Sequence, residues 1–537
     1  MKYSIRYLLP LLVFVLLSLV CKNAKHDQDN FSSNLNKPQN TVDISIPGSF
    51  VPASIIVFDS SAIPVFINNF PAFSKIKNDL LRFYKKRNYS YAWFDNSGMI
   101  EPAFNLYNRI INIKDDGLPD KFLYKNQLID LIETNESNPT VSPQLELMLT
   151  SQYLSYAKFS WSGLSKEKLM SVDWYLPRKE TSYTALLDSI LNEKDILKDV
   201  PVYRQYDLLK NYLKKYYDIQ AKGGWDKIIS IKKNFKVGDT ANAIGKIRAH
   251  LFLTGEINDD NGSNVYDSVL QISIKQLQRQ FGYKENSIIT SALIAELNKP
   301  VEQRIEQIIV NMERCRWVPV QLSTDYLLIN IPEYKVHIYE NDSLAWSMKI
   351  VVGKNKNRTA VFNGELKYIV FSPYWNVPTS ILQKEILPAI KRNPNYLNAM
   401  HMEWHGQSVR QLPGPWNALG LVKFLFPNSH SIYLHDTPSK YLFNEDKRAF
   451  SHGCIRVAEA KRLAQYLLRK DSDWDENKIT EAMNKGVERY VTLKKTIPVF
   501  IAYFTAWVDE NGNLQFRNDI YNRDSKLAKM ILEKPLL

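Results

Sequence analysis

Apolar positions fall into four successive patterns along the chain. From Leu8 to Val20 they are unbroken, LLPLLVFVLLSLV, behind a start that carries Lys2 and Arg6. A membrane span needs about 20 such residues, so this run fits the apolar core of a secretory signal over residues 1–21 instead. Residues 22–58 are then polar, rich in Asn and Ser and without aliphatic periodicity, which predicts a disordered tether. Between about Phe66 and Lys233 apolar residues recur at mixed spacings of three and four, as in FSKIKNDLLRFYKKR, QLELMLTSQYLSYAKFSW and YRQYDLLKNYLKKYYDIQ. That period predicts a helical scaffold over 59–235. Residues 236–300 predict three short helices sharing one small core, with Val269, Ile272, Gln276, Leu277 and Phe281 on the inner face of the second.

From Tyr326 the period shortens to two. DYLLINIPEYKVHIYEND alternates in two runs, SLAWSMKIVVG and ELKYIVFSPYW read as further strands, and TIPVFIAYFTAWVDENGNLQF reads as a hairpin turning at Asn511-Gly512. A helix, AEAKRLAQYLLRK, stands among them. The expected fold is therefore α+β and multidomain, with a mostly β, sandwich-like domain over 311–522 and a tail over 523–537. Inside that domain residues 379–427 expand a connection between two strands. Insertions of that length usually have structure or function of their own, so a capping lid is expected, with Trp416 on a rigid turn. The helix SILQKEILPAIKRNP within it should kink or restart at Pro388.

The 537 residues suit roughly three domains at about 150 residues each. A formal charge of +13 admits nucleic acid, anionic membrane or an acidic polymer as partner. No Lys/Arg block is long enough to choose, and KKYYDIQAKGGWDKIISIKKNFK reads as a solvated helical surface, so no nucleic acid is expected. Three cysteines, Cys21, Cys315 and Cys454, are too few for a disulfide framework. Cys315 reads as a packed residue at a helix end. No phosphate loop or nucleotide motif is present, so no cofactor is implied.

Cys454 lies in FSHGCIRV, residues 450–457, between His452 and Arg456. A thiolate needs cationic and hydrogen-bonding neighbours before it can attack. Five of the eight histidines fall between His401 and His452, which raises zinc as one reading, with His401, His405, His435 and Cys454 as ligands. HMEWH would place His401 and His405 one helical turn apart, but it lacks the Glu of an HExxH motif. Acylation is the other reading. SIYLHDTP ends a strand at His435, which could take the proton of Cys454 if the chain loops back. Gly453 permits a turn that aims amides at an oxyanion, and Arg456 stays charged and can hold a carboxylate or carbonyl in a fork. His452 is a candidate supporting residue. Ser451 is either a hydrogen-bonding partner or a turn residue. Trp375 and Asn376, from YWNVP, are expected to line a substrate groove, together with Trp416 and Tyr433.

HDTP followed by SHGCIR resembles the catalytic signature of the L,D-transpeptidases. ERCRWVP, YWNVP, QLPGPWNALG and KFLFPN further resemble the large periplasmic branch of that family. The resemblance implies a β-sandwich-like catalytic domain with an inserted capping subdomain. It also implies a Cys454 nucleophile and a His435 base that act on the tetrapeptide stems of peptidoglycan, releasing D-Ala through a thioester. The acceptor is then an amine of a second stem, or water in an L,D-carboxypeptidase; a non-catalytic wall-binding protein is the remaining alternative. Residues 236–300, with VYDSVLQISIKQLQRQFG and the pair Thr290/Leu293, resemble a small three-helix peptidoglycan-binding domain. Cys21 resembles a bacterial lipoprotein cleavage site, although Val20 stands where a small residue is usual; an ordinary signal or an uncleaved anchor are the other readings. Each implies export to the periplasm or cell envelope, with membrane attachment only if Cys21 is lipidated.

Overall fold

The computed structural model describes residues 56–176, 181–191, 203–318, 325–341 and 343–532. The expected signal, Cys21 and nearly all of the tether lie outside these residues. Among the described residues no helix is long and apolar enough to cross a membrane.

The N-terminal part is helical and wraps around α1 (Pro143–Ala157), in which every residue from Leu145 on is buried. Pro143 opens the helix and the Ser142 hydroxyl accepts the Leu145 N–H, which satisfies one of the amides a helix start leaves unpaired. A helix buried on all sides is a core helix, and its polar side chains must find partners inside. Its one buried acid, Glu146, accepts the N–H groups of Ala92 and Trp93 and the Tyr84 hydroxyl, and burial raises it to about 7. Helix α2 (Gln205–Ala221) ends before Gly223 and Gly224, both at positive φ, so the helical surface expected onward to Lys236 stops at Ala221.

Three helices follow: α3 (Asn242–Thr254), α4 (Ser268–Gln280) and α5 (Ser291–Leu297), around a core that includes Ile244, Leu251, Leu270, Ile274, Leu277 and Leu293. The face of α4 differs from expectation. Leu270, Ile274 and Leu277 point inward, while Val269 and Ile272 are 60% and 69% exposed. So small a unit buries only the narrow stripe that repeats at i, i+4 and i+7. Helix α6 (Val301–Cys315) then crosses into the C-terminal domain and ends on a fully buried Cys315. There the buried Arg316 pairs with Glu313 at 2.6 Å and donates to the carbonyls of Ser160 and Asp116 in the helical scaffold.

The C-terminal domain contributes nine strands to one sheet: β1 (Tyr326–Asn330), β2 (Lys335–Glu340), β3 (Ser343–Gly353), β4 (Asn363–Phe371), β8 (Val422–Leu425), β9 (Leu434–His435), β10 (Ala449–Ser451), β11 (Ile455–Val457) and β12 (Arg489–Ala502). Their order is β10-β3-β11-β9-β8-β4-β12-β1-β2, and β2 pairs back onto β3, so the sheet closes on itself around its core. The long strand β3 makes the closure: it pairs with β2 through Lys349 and with β11 at Ile350 and Val351. Helix α7 (Ala460–Leu468) follows β11, and the hairpin β13 (Ala506–Val508) and β14 (Leu514–Phe516) follows β12. The segment expected as a tail forms α8 (Asp524–Leu532), tied to α6 by Arg314–Asp524 at 2.6 Å.

Between β4 and β8 the chain builds a separate layer. Strands β5 (Trp375–Asn376), β6 (Met402–His405) and β7 (Ser408–Gln411) form a three-stranded sheet, and short helices cover it with a core of Val377, Leu382, Ile386, Met402 and Val409. The helix expected here restarts at Pro388. The backbone widens into a π-helical turn over Leu382–Ile386, and Pro388 falls in the first turn of the next piece, Leu387–Arg392, where its missing N–H costs little. The two ends of this cap meet at the fully buried Asn417. Its amide donates to the carbonyls of Pro373, Gln411 and Leu412, and its oxygen accepts the Leu419 N–H.

Asn417→Ala leaves those buried groups without partners, at a cost of about 2–4 kcal/mol. The expected result is faster amide hydrogen exchange at Leu419, Gly420 and Leu421, with the distant α1 unchanged. Unaltered exchange in the 411–421 return would refute the role given to Asn417.

Candidate functional site

The site is assembled by two short parallel strands. In β9 and β11, Leu434 pairs with Ile455 and His435 with Arg456, and the Ile455 N–H reaches the Tyr433 carbonyl at 3.1 Å. Side chains alternate across a sheet, so the buried Leu434 and Ile455 fill the core. Tyr433, His435, Cys454 and Arg456 are thereby gathered on the opposite face.

Cys454 sits in the turn between β10 and β11. The Ser451 hydroxyl accepts the Gly453 N–H at 3.1 Å and donates to the Cys454 carbonyl at 2.5 Å, closing the turn. Gly453 has φ +120°, a conformation that favours glycine. From beneath, the Thr359 hydroxyl donates to the Gly453 carbonyl at 2.8 Å and accepts the Gly353 N–H. The Tyr521 hydroxyl donates to the Gly353 carbonyl at 2.6 Å and accepts the Thr359 N–H. The Cys454 turn therefore rests on a four-group brace.

The half-buried thiol donates to the Ser431 carbonyl at 3.5 Å. Burial is the largest influence on it and raises its pKa. The Tyr433 backbone N–H and hydroxyl, and then the Arg456 charge, pull the other way by stabilising the thiolate. Tyr433, expected on a substrate wall, thus lies near enough to the sulfur to influence its charge. Its own pKa is raised by burial and by the neighbouring sulfur.

His435 is buried. Its Nδ1 lies 2.5 Å from the Asp436 carbonyl, which can only accept, so Nδ1 carries the proton and Nε2 keeps its lone pair. Burial, then the charge of Arg456, lowers the ring to about 4. At neutral pH the imidazole is an uncharged base. Asp436 is itself fixed: its carboxylate accepts the Leu421 N–H and pairs with Lys440. Gly420, at φ +63°, passes so close that a Cβ there would lie 2.5 Å from the Asp436 side chain. Arg456 has an Nε with no partner among the described protein atoms, leaving a donor beside the thiol.

His452 faces away from this group. Its Nε2 meets Glu385 Oε1 of the cap at 3.0 Å, with both side chains largely exposed. The remaining candidates stand on the cap. Trp375 packs on its core, Asn376 pairs with Arg410, and Trp416 stacks on His401 at 3.9 Å. The structure thus brings together Tyr433, His435, Ser451, Gly453, Cys454 and Arg456, joins the cap to them through His452, and keeps Trp375, Asn376 and Trp416 apart. His401 and His405 do not share a helix: His401 occupies a turn at φ +52° and His405 ends β6. Glu385, Thr359, Tyr521 and Ser431 escaped the sequence reading. Asp436 was visible beside His435 but had no assigned task.

Residues 324–488 match the family profile described as YkuD, L,D-transpeptidase catalytic domain, and residues 78–213 match a scaffold domain. A Haemophilus influenzae protein provisionally named an L,D-transpeptidase is 33% identical over 246 residues, 41% of this chain and 49% of that one. The chain therefore matches about half the length of this curated relative. An L,D-transpeptidase structure from Mycobacterium smegmatis aligns at 12% identity and TM-score 0.20, over 33% of this chain and 58% of that chain. One from Stackebrandtia nassauensis aligns at 10% identity and TM-score 0.21, over 51% and 97%.

Tyr433→Phe removes one donor from the thiolate and keeps the ring. A hydrogen bond to a charged group is worth about 1.5–3 kcal/mol, so alkylation of Cys454 by iodoacetamide at pH 7 should slow roughly tenfold. Cys315, fully buried, does not compete. A variant whose alkylation–pH curve overlays that of the wild type would contradict that influence.

Proposed function

We propose that the L,D-transpeptidase catalytic domain carried by this chain is a working cysteine acyltransferase that crosslinks peptidoglycan stem peptides outside the cytoplasm. The observation that carries this reading is the placement of an uncharged His435 and a protonated Cys454 on the same face of the neighbouring strands β9 and β11. In this scheme Nε2 takes the thiol proton and Sγ attacks the carbonyl of the third stem residue. The Tyr433 hydroxyl, which held the sulfur's charge, is a donor for the charge that passes to the carbonyl oxygen. His435 returns the proton to the departing amine of D-Ala, leaving a thioester on Cys454. An amine of a second stem then loses its proton to His435 and attacks, restoring the thiol and closing the crosslink. Arg456 Nε is a free donor for the stem backbone or its carboxylate.

Water in place of the amine would make the same residues an L,D-carboxypeptidase. The cap favours the amine, because its Glu385 is bonded to His452, two residues before the nucleophile, and a covered thioester meets less water. Trp375, Asn376 and Trp416 then belong to the cap side of the groove. Substrate of this kind also supports export through the signal at residues 1–21, with or without a lipid on Cys21.

Incubation with tetrapeptide-containing sacculi, followed by muropeptide analysis, tests the reading. Crosslinked dimers are expected; trimmed tripeptides alone indicate the carboxypeptidase, and unchanged material a binder. Cys454→Ala should abolish product and leave wall binding intact. His435→Ala should cost nearly as much, because nucleophile and base act as a unit. In the wild type, acylation should fall away on acidification with a midpoint near pH 4, the value at which His435 takes up its proton, rather than near the ordinary histidine value of about 6.5.

Glu385→Gln weakens an exposed ion pair of the kind worth about 0.2–1 kcal/mol. The expected effect is a rise of roughly twofold to fivefold in the ratio of hydrolysis to crosslinking, with the rate of Cys454 acylation held. An unchanged ratio would detach the cap from control of the acceptor.

A further inference from the structure

Far in sequence from Cys454, a cavity of about 70 Å³ opens where four parts of the chain meet. Its walls come from α2 and the loop after it, from the α3–α4 unit, from Arg304 of α6, and from the hairpin β13–β14. Its floor is aromatic. His250 packs on Trp225 with ring centres 4.4 Å apart, and Phe281 stacks on Phe516. Its rim is polar, with Gln276 donating to Asn513 at 3.1 Å.

His250 is the residue without an evident purpose. It is 6% exposed, burial holds it neutral down to about 3, and its Nδ1 has no partner among the described protein atoms. A buried polar atom left unpaired costs about 1–3 kcal/mol and calls for a partner that the protein does not supply. Glu256 lines the same cavity, with one oxygen taken by the Thr254 hydroxyl and its pKa raised by burial.

The charges already have partners. Lys215 donates to the Thr254 carbonyl at 2.6 Å, and Arg304 is bound to Glu296 at 2.9 Å while lying over Phe281 and Phe516. No free cation or anion remains to draw in an ion. What remains is one ring nitrogen, one carboxyl oxygen and aromatic faces. That set suits a small neutral group with a donor, an acceptor and a methyl. An apolar cavity of about 150 Å³ holds benzene, so half of that holds roughly three or four heavy atoms, the size of an acetamide.

We infer that this cavity is a subsite for the acetamido group of an N-acetylated amino sugar, by which the chain holds a glycan strand away from the peptide chemistry. The inference rests on the peptidoglycan reading above for the source of such a sugar. The methyl lies on the aromatic floor, and the amide exchanges hydrogen bonds with His250 Nδ1 and the Glu256 carboxyl.

The test titrates the full chain with the tetramer of N-acetylglucosamine, with its fully de-N-acetylated counterpart and with acetamide, followed by calorimetry and tryptophan fluorescence. The expected result is saturable binding of the N-acetylated tetramer, at least tenfold weaker binding of the deacetylated one, and weak competition by acetamide. His250→Phe keeps the ring packing and removes Nδ1. Gln276→Trp closes the rim from the half-exposed side, and so tests the site even if the buried variant fails to fold. Each should lower affinity tenfold or more, while a soluble tetrapeptide still acylates Cys454 at the wild-type rate. Equal binding of both tetramers, no binding by the wild type, or wild-type affinity in Gln276→Trp means that the cavity holds only water and overturns the subsite. Sugar binding without acylation of Cys454 would instead remove the enzymatic reading and leave the subsite standing.

Discussion

The proposed chemistry depends on one register, that of β9 on β11. These strands are two and three residues long, parallel, and joined by a connection that leaves the sheet and returns. Parallel neighbours cannot be linked by a tight turn, so the chain between His435 and Cys454 must make an excursion. Pairing Leu434 with Ile455 sets Tyr433 against the thiol and His435 beside Arg456. A slip of one residue would send His435 into the core and Leu434 to the site. Burial of Leu434 and Ile455 opposes that slip, so the core residues of two very short strands determine where His435 and Cys454 stand.

Burial acts on both reacting groups in the direction of neutrality. It raises the thiol and lowers the imidazole, and Arg456 adds to the second effect while opposing the first. The resting state is thus thiol and free base, not thiolate and imidazolium. A resting ion pair would be stabilised by water and exposed to oxidants. In the proposed reaction the proton would move only when a carbonyl is present to receive the sulfur's charge, with Tyr433 and Arg456 beside the sulfur. The dipole of α7 takes no part in this balance, because β11 intervenes between Cys454 and α7.

Local pattern made the strands, the core helices and the family motif legible, because alternation, helical spacing and FSHGCIRV are properties of neighbouring residues. Most of the failures are of another kind. Val269 and Ile272 satisfy a helical period as well as Leu270 and Ile274 do, and only the packing of α3 and α5 chooses between the stripes. His401 and His405 sit four apart, and only the pairing of β6 with β7 shows that they are in a turn and a strand. Glu385 lies 67 residues from His452, and Tyr521 lies 168 from Gly353. No local signal points across such separations, whereas Asp436, adjacent to His435, could have been read as its second support.

The scaffold reaches the nucleophile by the same kind of long-range contact. Trp174 forms a parallel bridge with Val361, the Tyr175 N–H donates to the Val361 carbonyl at 2.8 Å, and Asp173 pairs with Arg523 at 3.2 Å and lies 3.7 Å from Arg358. Residues 358–361 carry Thr359, and Thr359 holds the Gly453 carbonyl. A continuous set of contacts therefore runs from the helical domain, through one loop, to the turn that presents Cys454. The buried Arg316–Glu313 pair fastens the same two domains at the end of α6, where a free charge could not remain without its partner. Tyr521, which completes the brace, lies beyond residue 488, and Asp173 lies before residue 324. The segment that matches the catalytic family thus contains Cys454 and His435, while the turn that holds Cys454 is braced in part from both sides of it.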